Sequence, residues 1–256
     1  MRRIWAIALN TSRESIRNKV LYTVMLFSVL LIGIAAAFGS VSLGDRIKFV
    51  KDFALSGLSL FGVTATVVLG VTMVYNELQR RTIYNLLSKP VGRGEFLVGK
   101  YLGLLLTLGI LLASMGGATL LIIGFLEQRL DLALLPAVGG MVLEVALLAA
   151  VAVLFSSVVV TPALAGLFTV GVFLAGRSSR WLVHFQSEEF PTTVRLAATA
   201  LHKILPRLDE LYVADRIVAG QTIPGSFYVW SGLYVASYVA LLLLLSWAIF
   251  RRREFT

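Results

Sequence analysis

The sequence predicts an all-α polytopic membrane protein with six transmembrane helices, an interfacial helix at the N-terminus and a short cytoplasmic helix between the second and third spans. Three observations predict it. The 256 residues are 58% hydrophobic and 14% charged, with a mean hydropathy of +0.86, whereas a soluble domain carries roughly 25% charge. Six apolar segments reach or approach the ~20 residues that a helix needs to cross a hydrocarbon core of ~30 Å. Lys and Arg gather at alternate span ends, as the inside–outside asymmetry of membrane proteins requires.

In chain order, residues 2–18 read as an amphipathic helix in the inner interface. Ile4, Trp5, Ala8, Leu9 and Ile16 share one side, and Arg3, Asn10, Arg13, Glu14 and Arg17 the other, with Arg2 and Ile7 breaking the pattern. No small-residue cleavage site follows a short apolar core, so the first span is expected to stay in the mature chain. The spans fall near residues 20–41, 55–75, 101–126, 134–160, 162–176 and 227–250. The fifth is short. Thr161 as N-cap and Pro162 at the first helical position predict a tight hairpin between the fourth and fifth spans.

With the N-terminus inside, thirteen Lys and Arg lie on the cytoplasmic side and ten outside, against four and nine acidic residues respectively. Both termini are therefore expected in the cytoplasm, and the chain in the inner membrane. The basic excess suits anionic lipid headgroups; no basic patch interleaved with aromatics points to nucleic acid. Residues 177–226 form the largest outer feature. Within them Val194, Ala197, Ala198, Leu201, Ile204 and Leu205 recur at helical spacing until Pro206. About 50 residues make a poor independent core, so this segment is expected to lie against the outer span ends. The two histidines, His184 and His202, lack ligand spacing, and there is no cysteine, so no metal site is predicted.

The stretch GEFLVGKY, residues 94–101, is one residue short of a phosphate-binding loop, with Tyr101 where a magnesium-binding hydroxyl would stand. Between its glycines it has Glu-Phe-Leu-Val rather than flexible backbone, and a span follows, so the match is fortuitous. Residues 77–87 read instead as a short amphipathic helix. Glu77, Gln79, Arg80, Arg81 and Asn85 are polar, and Leu78, Ile83, Tyr84, Leu86 and Leu87 apolar, before the Ser88-Lys89-Pro90 break. A turn at Arg93 then leads into a re-entry helix through Phe96, Leu97 and Lys100.

The set Glu77, Arg81-Thr82-Ile83, Leu86-Leu87, Pro90, Arg93 and Gly99-Lys100 between spans two and three resembles the permease subunits of type-two ABC transporters. The likeness covers essentially the whole chain, including FSSVVVTPALAGLF at residues 155–168, and is nearest to permeases linked to multicopper-enzyme maturation, such as that of nitrous-oxide reductase. It implies an exporter in which a second permease copy, identical or different, pairs in the membrane. It also implies a separate ATP-binding subunit, holding ATP and magnesium, that docks on the helix after span two through Glu77, Arg80, Arg81, Thr82, Leu86 and Leu87. Arg81 stands where that family usually has glycine. The chain itself carries no cofactor and is not expected to be an enzyme. A membrane transducer acting on an outer-face protein machine is the alternative; an intramembrane hydrolase would need paired acids or a Ser-His set within the spans.

Glu144, in MVLEVALLAA, is the candidate cavity residue. It lies eight residues after Pro136, about 12 Å along a helix and inside the hydrocarbon. A charged acid at that depth costs at least ~2.5–3.5 kcal/mol. Gly140, Met141, Leu147 and Leu148 offer no partner, and no span has a central Lys or Arg. The partner must come from another span, the second permease, water or cargo. Glu144 is then either a carboxyl hydrogen-bonded within the bundle or a cavity group that meets a polar cargo. Otherwise the nearly charge-free spans suit a hydrophobic cargo, and equally close helix packing at Gly116-Gly117, Gly139-Gly140 and Gly166.

Overall fold

The apolar segments fold as helices, and no strand occurs among the described residues, which in this computed structural model are 2–17, 19–38, 46–79, 92–129, 131–159, 161–185 and 190–252. The helices are α1 Arg2–Ile16, α2 Lys19–Phe38, α3 Arg46–Gln79, α4 Arg93–Glu127, α5 Leu135–Val158, α6 Pro162–Arg177, α7 Ser179–His184, α8 Thr192–Ile204, α9 Leu208–Leu211, α10 Ala214–Val218 and α11 Gly225–Arg252. Long apolar helices in α3, α4, α5 and α11 can each cross a bilayer. The pair α1 and α2, bent by 59°, makes a fifth if taken as one span, while α6 has 16 residues, about 24 Å of helix.

α5 is the axis of the bundle. Its run from Leu147 to Val153 is buried on every side, by α3, α4, α6 and α11, which is why its sequence is apolar all round rather than striped. α3 and α4 extend beyond the apolar stretches that mark them in the sequence, starting at Arg46 rather than 55 and at Arg93 rather than 101. Helical hydrogen bonding continues wherever packing supports it, and polar turns outside the hydrocarbon lose nothing by it. Gly94 to Tyr101 accordingly lies inside α4, so a phosphate-cradling loop is excluded by its backbone.

The first turns of α4 carry α1. A Cβ on Gly99 would come within 2.8 Å of Ile7, and one on Gly103 within 2.5 Å of Thr11, so the missing side chains let the two helices touch. Thr107 and Ser12 hydroxyls lie 3.3 Å apart across the same seam. The packed side of α1 is thus Ile4, Ile7, Ala8 and Thr11, and Ile7, which interrupts the simple wheel, sits at its centre. Trp5 and Leu9 remain outward, as an interfacial helix requires. Elsewhere Gly116 meets Val138 and Gly139 meets Tyr228, whereas Gly117 faces open space.

At the opposite end, Lys51 donates to Asp131 at 2.6 Å and to Glu127, tying the start of α3 to the connection between α4 and α5. That hydrogen bond from Lys51 holds the Asp131 carboxyl below the usual carboxylate range. Asp131 also accepts from the Ala133 N–H at 3.2 Å, capping the 3-10 turn Leu132–Leu134 that leads into α5. The Tyr228 hydroxyl fixes α11 to the same place by donating to the Pro136 carbonyl at 2.7 Å.

The expected hairpin is present, with α5 ending at Val158 and α6 beginning at Pro162. Thr161 is extended, but its side chain makes no capping bond, so the proline alone marks the start. Gly103→Leu should force α1 off α4 and lower stability by about 1–3 kcal/mol, read as a lower thermal midpoint in detergent, whereas Gly117→Ala should leave the midpoint unchanged or slightly raised.

Candidate functional site

Glu144 is 1% exposed, and its partner lies within the chain. Its Oε1 accepts a hydrogen bond from Nη1 of Arg177, the last residue of α6, which the sequence reading leaves outside the membrane. α6 is about 24 Å long, and the cation at its end lies at the depth of the acid on its antiparallel neighbour.

Three further groups gather on the guanidinium. Its Nη1 lies 3.4 Å from Ser59 Oγ on α3, and its plane sits 3.6 Å from the centre of the Tyr212 ring, with Phe173 farther off at 5.9 Å. The Tyr212 hydroxyl is in turn 3.4 Å from Ser56 Oγ, one turn earlier on α3. Arg177 therefore joins α5, α6, α3 and the segment between α9 and α10. Burial pushes the Tyr212 phenol above its usual range, so it stays neutral and faces the cation with its ring.

Two glycines bring that segment in. A Cβ on Gly140 of α5 would sit 2.5 Å from the Leu211 carbonyl oxygen, and one on Gly176 of α6 2.6 Å from that of Pro206. Leu208, Leu211, Val213 and Ala214 are consequently buried against the two helices. Ser179 and Arg180 both bond to Asp209, fastening the start of α7 to α9. This half of the 177–226 segment lies on the spans as expected. α8 packs chiefly on α7 and is held to α11 where the Tyr238 hydroxyl donates to the Ile204 carbonyl, and of its apolar positions Ala198 alone is buried.

Within the cluster Glu144 Oε2 has no hydrogen-bond partner among the described residues. Farther along the hairpin the buried hydroxyls are committed to their own helices, Ser156 to the Ala152 carbonyl, Ser157 to Val153 and Thr169 to Ala165. Beside the pair the Ser59 oxygen accepts from the Arg177 guanidinium, and the arrangement is an electrostatic clasp. His184 packs edge-on to Phe190, and no group of three or more metal-ligating side chains occurs among the described residues.

Of the other candidate residues, Glu77 lies in the last turn of α3, with its side chain outside the described set, and Arg80, Arg81, Thr82, Leu86 and Leu87 lie outside the described residues altogether. The sequence carries a signal for Arg177 that the composition of single spans hides. Glu144 stands sixteen residues before Val160 and Arg177 sixteen after Thr161, so in a hairpin turning at 160–161 they are opposite one another. Tyr212 and the two serines have no such register.

A bundle of long apolar helices around a buried ion pair defines a polytopic membrane protein. A family model described as ABC-2 family transporter protein matches residues 5–176, more than half of the chain, and the protein belongs to that family. The chain is 30% identical over 142 residues to a probable ABC transporter permease protein NosY of Stutzerimonas stutzeri, covering 53% of this chain and 50% of that one. It is 32% identical over 143 residues to a protein of the same description from Pseudomonas aeruginosa, covering 53% and 51%. The chain thus spans about half the length of the curated relatives it matches.

Removing one member of a buried pair leaves the other unneutralised, at about 3–5 kcal/mol. Arg177→Met and Glu144→Gln should each lower the thermal midpoint, and the double variant should be more stable than Arg177→Met alone. Strict additivity in that cycle would mean that the pair contributes no coupling.

Proposed function

We propose that the protein is the transmembrane permease subunit of an ATP-driven exporter, energised by a separate ATP-binding subunit and paired in the membrane with a second permease copy. The observation that carries this reading is the family match, which runs from α1 through the α5–α6 hairpin and so includes the whole segment between spans two and three. The same reading takes α2, α3, α4, α5, α6 and α11 as the six spans, places both termini in the cytoplasm, and sets the chain in the inner membrane.

Docking falls to Glu77, Arg80, Arg81, Thr82, Leu86 and Leu87, on a short cytoplasmic helix. α3 gives that site a mechanical path. It is one unbroken helix of 34 residues with Glu77 at one end. Ser59, which touches Arg177, stands eighteen residues before it, about 27 Å away along the axis. A tilt imposed on the docking end is transmitted by a rigid rod to the cluster that holds α6 and the segment carrying Tyr212.

That path also favours a second reading. The Arg177 clasp fastens the 206–214 segment to the bundle, so ATP-driven movement of α3 reaches this surface whether or not a solute crosses. In this form the protein transduces force to an outer-face machine. Glu144 serves both readings. In the first it lines a central cavity once α6 withdraws Arg177; in the second it is the seat from which Arg177 is released.

Glu77→Ala and Leu87→Ala should reduce co-purification of the ATP-binding subunit ten- to a thousandfold, the equivalent of about 2–4 kcal/mol at a small interface, with normal membrane insertion. Retained co-purification and retained stimulated ATPase activity in both would refute the docking site. A cysteine at Ser88 should react with impermeant thiol reagents only after permeabilisation, and one at Gln221 from outside in intact cells; the reverse pattern would invert the topology. ATP-dependent flux in reconstituted vesicles separates transport from transduction.

A further inference from the structure

α8 is amphipathic the wrong way round for a helix in water. Its sheltered side carries Arg195, Thr199 and His202 beside Ala198, whereas its open side carries Leu196 at 66% and Ile204 at 70% exposure, with Leu201 between them. On the neighbouring α7, Trp181 is 72% exposed. A solvated helix buries its apolar stripe, and a contiguous open apolar face marks contact with something apolar.

Between α6, α7 and α8 runs a groove of about 660 Å³, lined by Phe155, Phe168, Gly171, Trp181, Phe185 and Leu201 among others, with almost no polar surface. That volume lies within the ~300–1,000 Å³ range of small-molecule sites. Its floor is α6, whose outward Leu167 and Leu174 are exposed on the single chain. α6 falls short of a ~30 Å hydrocarbon core by about 6 Å. α7 and α8 turn back beside α6, so that Trp181, Phe185 and Leu201 line the groove with Phe168 and Gly171, and the Tyr238 hydroxyl of α11 donates to the Ile204 carbonyl at the end of α8. A protein partner would meet a polar rim, with about one hydrogen bond per 100–200 Å²; the groove offers none, and hydrocarbon needs none.

We propose that α6, α7 and α8 form a binding site for an acyl chain of a bilayer phospholipid, seated against Trp181, Phe185 and Leu201. Arg195 and His202 are then turned toward the protein and away from the acyl chains. The site is distinct from the Glu144 cluster and does not depend on whether the protein transports a solute.

The test uses the full chain with Trp5, Trp230 and Trp247 changed to Phe, leaving Trp181 as the remaining one of its four tryptophans. The protein is reconstituted in phosphatidylcholine vesicles with plain or brominated acyl chains. Brominated chains should quench Trp181 emission by roughly half or more, and aqueous iodide should quench it little, as for a ring among acyl chains. Gly171→Leu fills the groove, because a Cβ there meets nothing within 4 Å. In native mass spectrometry the parent protein should retain one phospholipid per chain, and Gly171→Leu should lose it with an unchanged thermal midpoint. Iodide quenching without bromine quenching would put α7 and α8 in water. Shielding from both quenchers would mean a protein cover. Either result, or a bound phospholipid that survives Gly171→Leu, overturns the proposal.

Discussion

One buried charge pair organises this molecule. Glu144 sits in the middle of one of the two most apolar helices among those described, and an unneutralised carboxylate there would oppose insertion and packing alike. Arg177 removes that penalty, and the requirement to do so determines where α6 must end. The end of α6 in turn decides where the chain turns into α7, and Tyr212 and the glycine contacts at 140 and 176 close over the guanidinium. Four elements far apart in sequence thus meet at one side chain. A hydrophobic contact is graded and can slide, whereas an ion pair in low dielectric has few acceptable geometries.

Glycines admit close neighbours at both ends of the bundle, and the ends differ in the side chains that join them. At the end holding α1, glycines admit a neighbouring helix and the contacts are small side chains and hydroxyls. At the other, long polar side chains make the joins, Lys51 to Asp131 and Glu127, Arg180 to Asp209, Tyr228 to the Pro136 carbonyl. Contacts of the first kind tolerate rolling of one helix on another; those of the second break as units.

The helices and the hairpin were legible because each spans enough residues for hydropathy to average out, and Pro162 punctuates the one ambiguous run. Family membership was legible in the residues that follow span two and in the extent of the likeness. Less legible was which side of a helix meets which neighbour. The wheel of α1 placed Ile7 as an exception, yet Ile7 faces Gly99, because packing follows the partner's shape and not the largest hydrophobic stripe. In α8 periodicity revealed an apolar face correctly but not its environment, since hydropathy has the same sign for a protein core and for lipid. Arg177 was assigned by its position just beyond a span, and a charge next to a short helix is a charge inside the membrane.

The equal spacing of Glu144 and Arg177 about the turn at 160–161 makes the hairpin a ruler. Inserting one residue between them would swing Arg177 through about 100° and carry it ~1.5 Å along its helix, out of line with the carboxylate. Compensation would need an equal change on the other arm, and α5 has no freedom to supply it, being enclosed by its neighbours. Stretch 145–176 is therefore closed to insertion and deletion, while the chain beyond Gly220, in its left-handed turn, can lengthen without altering that register. Divergence in length among proteins built on this clasp belongs outside the arms of the hairpin.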